Sequence, residues 1–147
     1  MANEIEQEYN KLSKKYKLIK FKEIDSEFEI STLETPKFLI RNILRKIEEK
    51  LEFYIEVIGN LVHPDASSIS SMYEVRYFSD DEKNEMYLLF KNLMKTNRNI
   101  IKLILSSDEK EQADFLNGFF NEWLRIKKVL INYLDKMKES WEKESTI

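Results

Sequence analysis

The side chains best suited to catalysis in this sequence are a single histidine and the four serines that follow it. His63 precedes Ser67, Ser68, Ser70 and Ser71. Serine attack needs a positioned base and a set of backbone N–H groups to hold the oxyanion. No glycine-rich turn accompanies these residues, so the favoured interpretation is a histidine that caps a helix or bonds locally. A ligand pocket or enzyme site around residues 63–77 is a further alternative.

Metal and cofactor chemistry lacks its usual ligands. Di-iron bundles need two Glu-x-x-His motifs and zincins need His-Glu-x-x-His, whereas this chain has one histidine and no cysteine. Glu48, Glu49, Glu52 and Glu56 offer oxygens for a hard cation, but an arginine one turn earlier favours a solvated ion-pair face. Phosphate loops need glycines, and the chain has two. We therefore predict no enzyme activity, no metal and no cofactor.

A basic stripe is the clearest candidate for binding a partner. Lys91, Lys95, Arg98 and Lys102 follow one another at spacings of 4, 3 and 4, and no acid occurs between Met86 and Ser107. Such a row can follow a phosphate backbone or meet an acidic protein surface. The stripe lacks interleaved aromatic residues, and the sequence pI is about 5.4. A solvated face is favoured, and a nucleic-acid-associated regulator is the alternative function.

Two polar residues interrupt apolar stripes and are predicted to be buried. Asn97 lies in the middle of the apolar stripe of its helix, and Lys127 lies between Trp123 and Leu130. A polar residue at such a position can fix register or oligomeric state. The simpler interpretation is that the lysine amine reaches water and the asparagine bonds a backbone group or a water. If both are buried close together, they are the best candidate for a polar pocket.

Composition predicts a helical protein with no membrane insertion. The 147 residues include two glycines and two prolines, which favours long uninterrupted helices over tight β-turns. Charged residues make up 35% and nearly balance, with a net charge of −3. The absence of cysteine fits a reducing cytoplasm. No long apolar run is present. Frequent Ile, Lys, Asn and Glu are typical of an AT-rich microbial or viral genome.

Periodicity and capping signals divide the chain into helices. The sequence predicts helices over residues 3–20, 35–61, 79–105 and 108–141, a short helix within 63–78, and an irregular crossover over 21–34. Thr35-Pro36 should open the second helix, and Gly59-Asn60 with Pro64 should end it. Ser79 and Glu82 form a capping box, and Ser106 or Ser107 should cap the last helix.

The predicted fold is therefore an all-α antiparallel bundle. It has four main helices plus a short fifth, with an irregular crossover after the first helix. We expect one domain over residues 1–147, in which residues 1–34 pack on a bundle core formed by residues 35–147.

The last helix is apolar on two flanks, which predicts that it packs on two sides. Its first stripe consists of Leu116, Phe120, Trp123, Leu130, Leu134, Met137 and Trp141. Its second stripe, the predicted assembly face, consists of Phe115, Phe119, Ile126, Val129 and Tyr133. An exposed second stripe would exceed the apolar patch of a soluble monomer. The sequence therefore predicts a non-enzymatic interaction or assembly module that binds a second copy, as a homodimer, or another helical protein.

Overall fold

The protein is all-α. A computed structural model describes residues 2–65 and 67–143, which contain six α-helices and no strand. The helices are α1 (Ala2–Tyr16), α2 (Phe21–Phe28), α3 (Leu39–Val62), α4 (Ile69–Val75), α5 (Asp80–Ser106) and α6 (Glu109–Glu142). They form a helical bundle in which α3 and α5 are the main packing pair. The predicted fold class is confirmed.

The chain divides into two compact units. The first comprises the residues up to Leu51 together with Asn97–Trp123, and the second comprises Glu52–Thr96 together with the residues from Leu124 onward. Each unit therefore contains segments of the same three long helices, α3, α5 and α6. Helices α1 and α2 belong to the first unit, and α4 belongs to the second.

Helix α1 is shorter than predicted. It ends at Tyr16 rather than near residue 20, because Lys17 takes a left-handed backbone conformation with φ 54°. After this turn the Tyr9 hydroxyl donates a hydrogen bond of 2.5 Å to the carbonyl of Ile19. Burial raises the pKa of Tyr9, so its hydroxyl remains protonated and able to donate at physiological pH.

The crossover after α1 is helical in its first half, which corrects the prediction of an irregular segment. Residues 21–34 contain α2 and a 3-10 turn at Ile30–Thr32. Ile24 and Phe28 are buried four residues apart on the same side of α2, and Glu29 ends the helix with a left-handed φ of 54°. A helix of two turns shows only one repeat of the helical period, so periodicity did not reveal it.

The predicted start of the helix after the crossover is wrong. Helix α3 begins at Leu39, not at Pro36. The Thr35 hydroxyl accepts a hydrogen bond of 3.2 Å from the Lys37 N–H, which closes a turn. Phe38 then takes a left-handed φ of 51°, a conformation that a right-handed helix does not contain. The signal at Thr35-Pro36 therefore marks a turn ahead of the helix.

Gly59 does not end α3, which continues to Val62 and stops two residues before Pro64. A Cβ atom at Gly59 would lie only 3.1 Å from the Cε2 atom of Phe90 on α5. The glycine thus allows the aromatic ring to approach the backbone of α3. Its role in the second unit is close packing rather than termination.

In the first unit, α2 covers one flank of α6. The Phe28 ring lies 5.4 Å from the Trp123 ring and 6.3 Å from the Phe119 ring, centre to centre. The Trp123 indole N–H donates to the Glu27 carboxylate at 2.8 Å. Lys50 of α3 donates to the Glu27 carbonyl at 2.5 Å, and its amine lies 5.2 Å from the Phe28 ring centre. These contacts join α2, α3 and α6.

In the second unit, α4 holds the C-terminal end of α6. The Trp141 ring stacks on Tyr73 at 4.4 Å between centres, and its indole N–H donates to the Glu74 carboxylate at 2.8 Å. The Tyr73 hydroxyl also donates to the carbonyl of Ser140 at 3.0 Å. The short helix therefore positions the last turn of α6 through both stacking and hydrogen bonds.

Side chains cap the starts of α5 and α6. The predicted capping box is confirmed, because Ser79 Oγ accepts from the Glu82 N–H at 3.1 Å and Glu82 Oε1 accepts from the Ser79 N–H at 2.9 Å. At α6 the cap is Asp108, whose carboxylate accepts from the Glu111 N–H at 3.2 Å. The predicted serine cap is wrong, because Ser107 turns the chain with a φ of 58°.

We predict that the Glu82–Lys136 ion pair stabilises the protein in a pH-dependent way. The Lys136 amine lies 2.5 and 2.7 Å from the two carboxylate oxygens. It holds the pKa of Glu82 below its usual 4.5, with the Ser79 N–H as a second cause. Because the folded-state pKa is lowered, the stabilisation is complete above about pH 4.5 and is lost as the pH falls. Urea unfolding of Glu82→Gln should show a deficit of up to about 1 kcal/mol at pH 7.

The control is Glu142→Gln, which removes the more exposed Lys138–Glu142 pair at 3.5 Å. This variant should change the free energy of unfolding by less than Glu82→Gln does. A Glu82→Gln deficit that is as large at pH 3 as at pH 7 would contradict the prediction.

Candidate functional site

The four cations of the predicted basic stripe are all exposed on α5. Lys91 and Lys95 belong to the second unit, and Arg98 and Lys102 belong to the first. Helix α5 is unbroken from Asp80 to Ser106, so spacings of 4, 3 and 4 keep the cations on one side of that helix.

Two exposed leucines extend this row at its ends. Leu88 is 65% exposed and lies three residues before Lys91, and Leu105 is 84% exposed and lies three residues after Lys102. We call these six residues the outer row of α5: Leu88, Lys91, Lys95, Arg98, Lys102 and Leu105. Residues spaced alternately by 3 and 4 lie along one side of a helix, which is the spacing of side chains at a contact between two helices. Neither leucine belongs to the basic stripe that was predicted from charge.

No carboxylate pairs with these cations in the parts of the chain that the structure describes. In the second unit, the Lys91 amine lies 5.6 Å from the centre of the Tyr87 ring. In the first unit, Lys102 lines a cavity of about 340 Å³ together with Glu111 and Asp114 of α6, but forms an ion pair with neither. The positive charge of the outer row is therefore available to a partner.

A hydrogen-bonded chain behind the outer row orients one of its cations. Asn97 is 2% exposed; its amide N–H donates to the Glu48 carboxylate at 3.2 Å, and its amide oxygen accepts from the Arg98 guanidinium at 2.6 Å. The buried amide thus links an acid of α3 to a base of the outer row. The predicted partner of Asn97, a backbone group or a water, is replaced here by these two side chains.

Lys127, the second predicted buried polar residue, is half-buried and belongs to the second unit. Its side chain interacts with another group of the protein. Asn97 belongs to the first unit.

The predicted assembly face is largely covered by the chain itself. Phe119, Ile126 and Tyr133 are buried, and Phe115 and Val129 are half-buried. In the first unit, Phe119 stacks on Phe115 at 5.5 Å and lies near Phe28 of α2. In the second unit, the Tyr133 ring lies 6.1 Å from the Phe78 ring, and burial raises the pKa of Tyr133. The stripe on which the homodimer prediction was based is therefore not exposed in the described residues of α6.

The segment around His63 contributes to a cavity of about 340 Å³ in the second unit. Its lining includes His63, Pro64, Val75, Lys83 and Tyr87, but none of the four serines. The His63 ring meets the Tyr87 ring edge-on at 6.1 Å. Ser68 caps α4 by accepting from the Ser71 N–H at 3.3 Å. The serines and the histidine thus serve different local structures.

The described part of the chain contains no group of three or more His, Asp or Glu side chains placed to hold a metal ion. None of the helices in that part is both long and apolar enough to cross a membrane. No protein family, curated protein or solved structure matches this chain.

We predict that Asn97 is needed for stability. Asn97→Ala removes hydrogen bonds to two charged groups, Glu48 and Arg98, and should lower the free energy of unfolding by about 1–3 kcal/mol. Urea unfolding at pH 7 measures this loss. The control is the exposed neighbour Asn99, whose change to alanine should alter stability by no more than about 0.5 kcal/mol. Equal losses in the two variants would contradict the prediction.

Proposed function

We propose that this protein is a non-enzymatic helical interaction module, and that the outer row of α5 binds an acidic amphipathic helix of another protein. The observation that carries the proposal is the run of four exposed, unpaired cations between two exposed leucines on one helix. With no cysteine in the sequence, we place this activity in a reducing cytoplasm.

The spacing of the outer row supports a helical partner. Alternation of 3 and 4 residues is the pattern of a helix–helix seam, where each side chain fits between residues of the facing helix. From Leu88 to Leu105 the row extends about 25 Å, at about 1.5 Å per residue. A partner helix of about five turns would cover it. Its middle would carry Asp or Glu opposite the cations, and its two ends would carry apolar residues opposite the leucines.

The leucines favour a protein over a nucleic acid. On a phosphate backbone, Leu88 and Leu105 would stay in water and contribute nothing, whereas a helix with apolar ends buries both. Burying a leucine side chain stabilises a complex by about 1.5–3 kcal/mol. The outer row also contains no aromatic side chain on which bases could stack. The cations would contribute chiefly to the rate of association and to partner choice.

The first test is binding of a synthetic helix in which leucines flank four glutamates at the same spacing. Fluorescence anisotropy should show that the wild-type protein binds it more weakly as salt rises, because the exposed charges become screened. Charge reversal in Lys91→Glu/Lys95→Glu, and separately in Arg98→Glu/Lys102→Glu, should each weaken binding by about tenfold or more. Leu105→Ser should weaken it without changing the salt dependence.

The matched control is Arg125→Glu/Lys128→Glu, which reverses two exposed cations of α6 and should leave binding unchanged. A peptide with glutamine in place of glutamate should bind poorly. If it binds equally well, or if α5 and α6 reversals have the same effect, the proposal is wrong. Tighter binding to a duplex DNA of similar length than to the glutamate peptide would favour the nucleic-acid alternative.

A second candidate is self-association, in which α5 of one copy binds α3 of another. Its basis is an acidic row on α3, where Glu49, Glu52 and Glu56 are exposed at spacings of 3 and 4 beside Phe53, which is 61% exposed. This row resembles the partner helix inferred above. Self-association of this kind would keep the predicted homodimer, but its interface would be formed by α5 and α3 and not by α6.

Light scattering distinguishes this candidate from a separate partner. Self-association predicts a dimer at high micromolar concentration and low salt that dissociates as salt rises, because exposed ion pairs are screened. Glu52→Lys/Glu56→Lys should abolish the dimer, and mixing this variant with Arg98→Glu/Lys102→Glu should restore it by reversing both charges. A monomer under all these conditions would eliminate self-association and leave the proposal for a separate acidic helix intact.

A further inference from the structure

A small cleft in the first unit lies where α3 and α6 begin. Its volume is about 170 Å³, and its lining is Phe38, Arg41, Ser107, Glu109 and Gln112. At roughly 30 Å³ per water, this space holds about six waters. It therefore suits a ligand of the size of glycine or alanine.

The cleft contains a cation with an unsatisfied donor. The Nε atom of Arg41 is buried and donates no hydrogen bond, which is unfavourable for a polar group removed from water. The Phe38 ring centre lies 4.2 Å from the guanidinium carbon, and Phe38 is 66% exposed. Most of the surface of this ring therefore faces solvent. Arg41 forms no ion pair within the described residues.

The same cleft contains an anion that does not neutralise this cation. Glu109 Oε1 accepts a hydrogen bond of 2.7 Å from the Tyr16 hydroxyl, which raises the pKa of Tyr16. No other hydrogen bond to the Glu109 side chain occurs in the described part of the chain, and its carboxylate lies beyond ion-pair distance of Arg41. Opposite charges thus line one small cleft without pairing with each other.

We infer that this cleft binds a small α-amino acid, with the α-carboxylate on Arg41 and the α-ammonium near Glu109. A guanidinium presents Nε–H and Nη–H side by side, and a carboxylate accepts both together. A carboxylate alone would leave Glu109 unpaired, and a phosphate dianion would face Glu109 with only one cation to balance it. A zwitterion satisfies both charges. This inference does not depend on the role of α5.

Another polar group of the cleft belongs to Ser107, the residue that turns the chain between α5 and α6. The Ser107 hydroxyl forms no hydrogen bond within the described residues, so it is available to a ligand in the cleft.

The test uses the full chain labelled with ¹⁵N and titrated with glycine and with alanine. Amide shifts should saturate at millimolar concentration and concentrate at residues 38–41 and 107–112. Acetate and methylammonium at equal ionic strength test each charge separately and should cause much smaller shifts. Arg41→Gln and Glu109→Gln should each weaken glycine binding by about tenfold or more, because each loses a charge-assisted contact.

The controls are Arg45→Gln and Glu111→Gln, which remove exposed charges near the cleft and should leave binding unchanged. Circular dichroism of every variant verifies that the helices remain. Absence of saturable shifts with both amino acids overturns the inference. Glycine binding that is unchanged in Arg41→Gln also overturns it. Acetate binding as strong as that of glycine overturns it as well, because it would define a simple carboxylate site.

Discussion

The structure depends on covering a helix that is apolar on two flanks. Among the large side chains that α6 buries are Phe119, Trp123 and Tyr133. In the first unit the chain covers them with α2, through Phe28 and the Glu27–Trp123 hydrogen bond. In the second unit, Phe78 lies against Tyr133. These apolar side chains of α6 are thus covered within one chain, by α2 in the first unit and by the segment around Phe78 in the second.

With this flank of α6 covered, the candidate binding surface lies on another helix. The outer row of α5 presents charge to solvent, while the opposite side of the same helix buries Leu93, Asn97 and Ile100. Asn97 connects the two sides, since its amide oxygen restrains the Arg98 guanidinium. A cation held by a buried amide loses less conformational freedom when it meets a partner, which favours specific over diffuse electrostatic binding.

Periodicity was sufficient for the long helices, whose apolar stripes repeat many times, and for the exposed cations of α5. It failed where a signal is short or depends on distant residues. Ile101 is apolar and follows the buried Ile100, yet it is 43% exposed. Extending the 4, 3, 4 spacing of the cations by three residues each way would have found Leu88 and Leu105. The Arg41 cleft could not be predicted from the sequence, because Arg41 and Ser107 are distant in the chain and are brought together only by the packing of helices.

The small size of α2 bears on its local stability. Its eight residues are fewer than the roughly 12–15 that an isolated helix needs to persist in water. Its helical state therefore depends on its contacts with Trp123 and Lys50. Local opening of such a segment costs less free energy than unfolding of the whole protein, and it would bring Phe119 and Trp123 into contact with water. In the first unit, an aromatic flank of α6 is thus covered by a helix that is too short to persist alone.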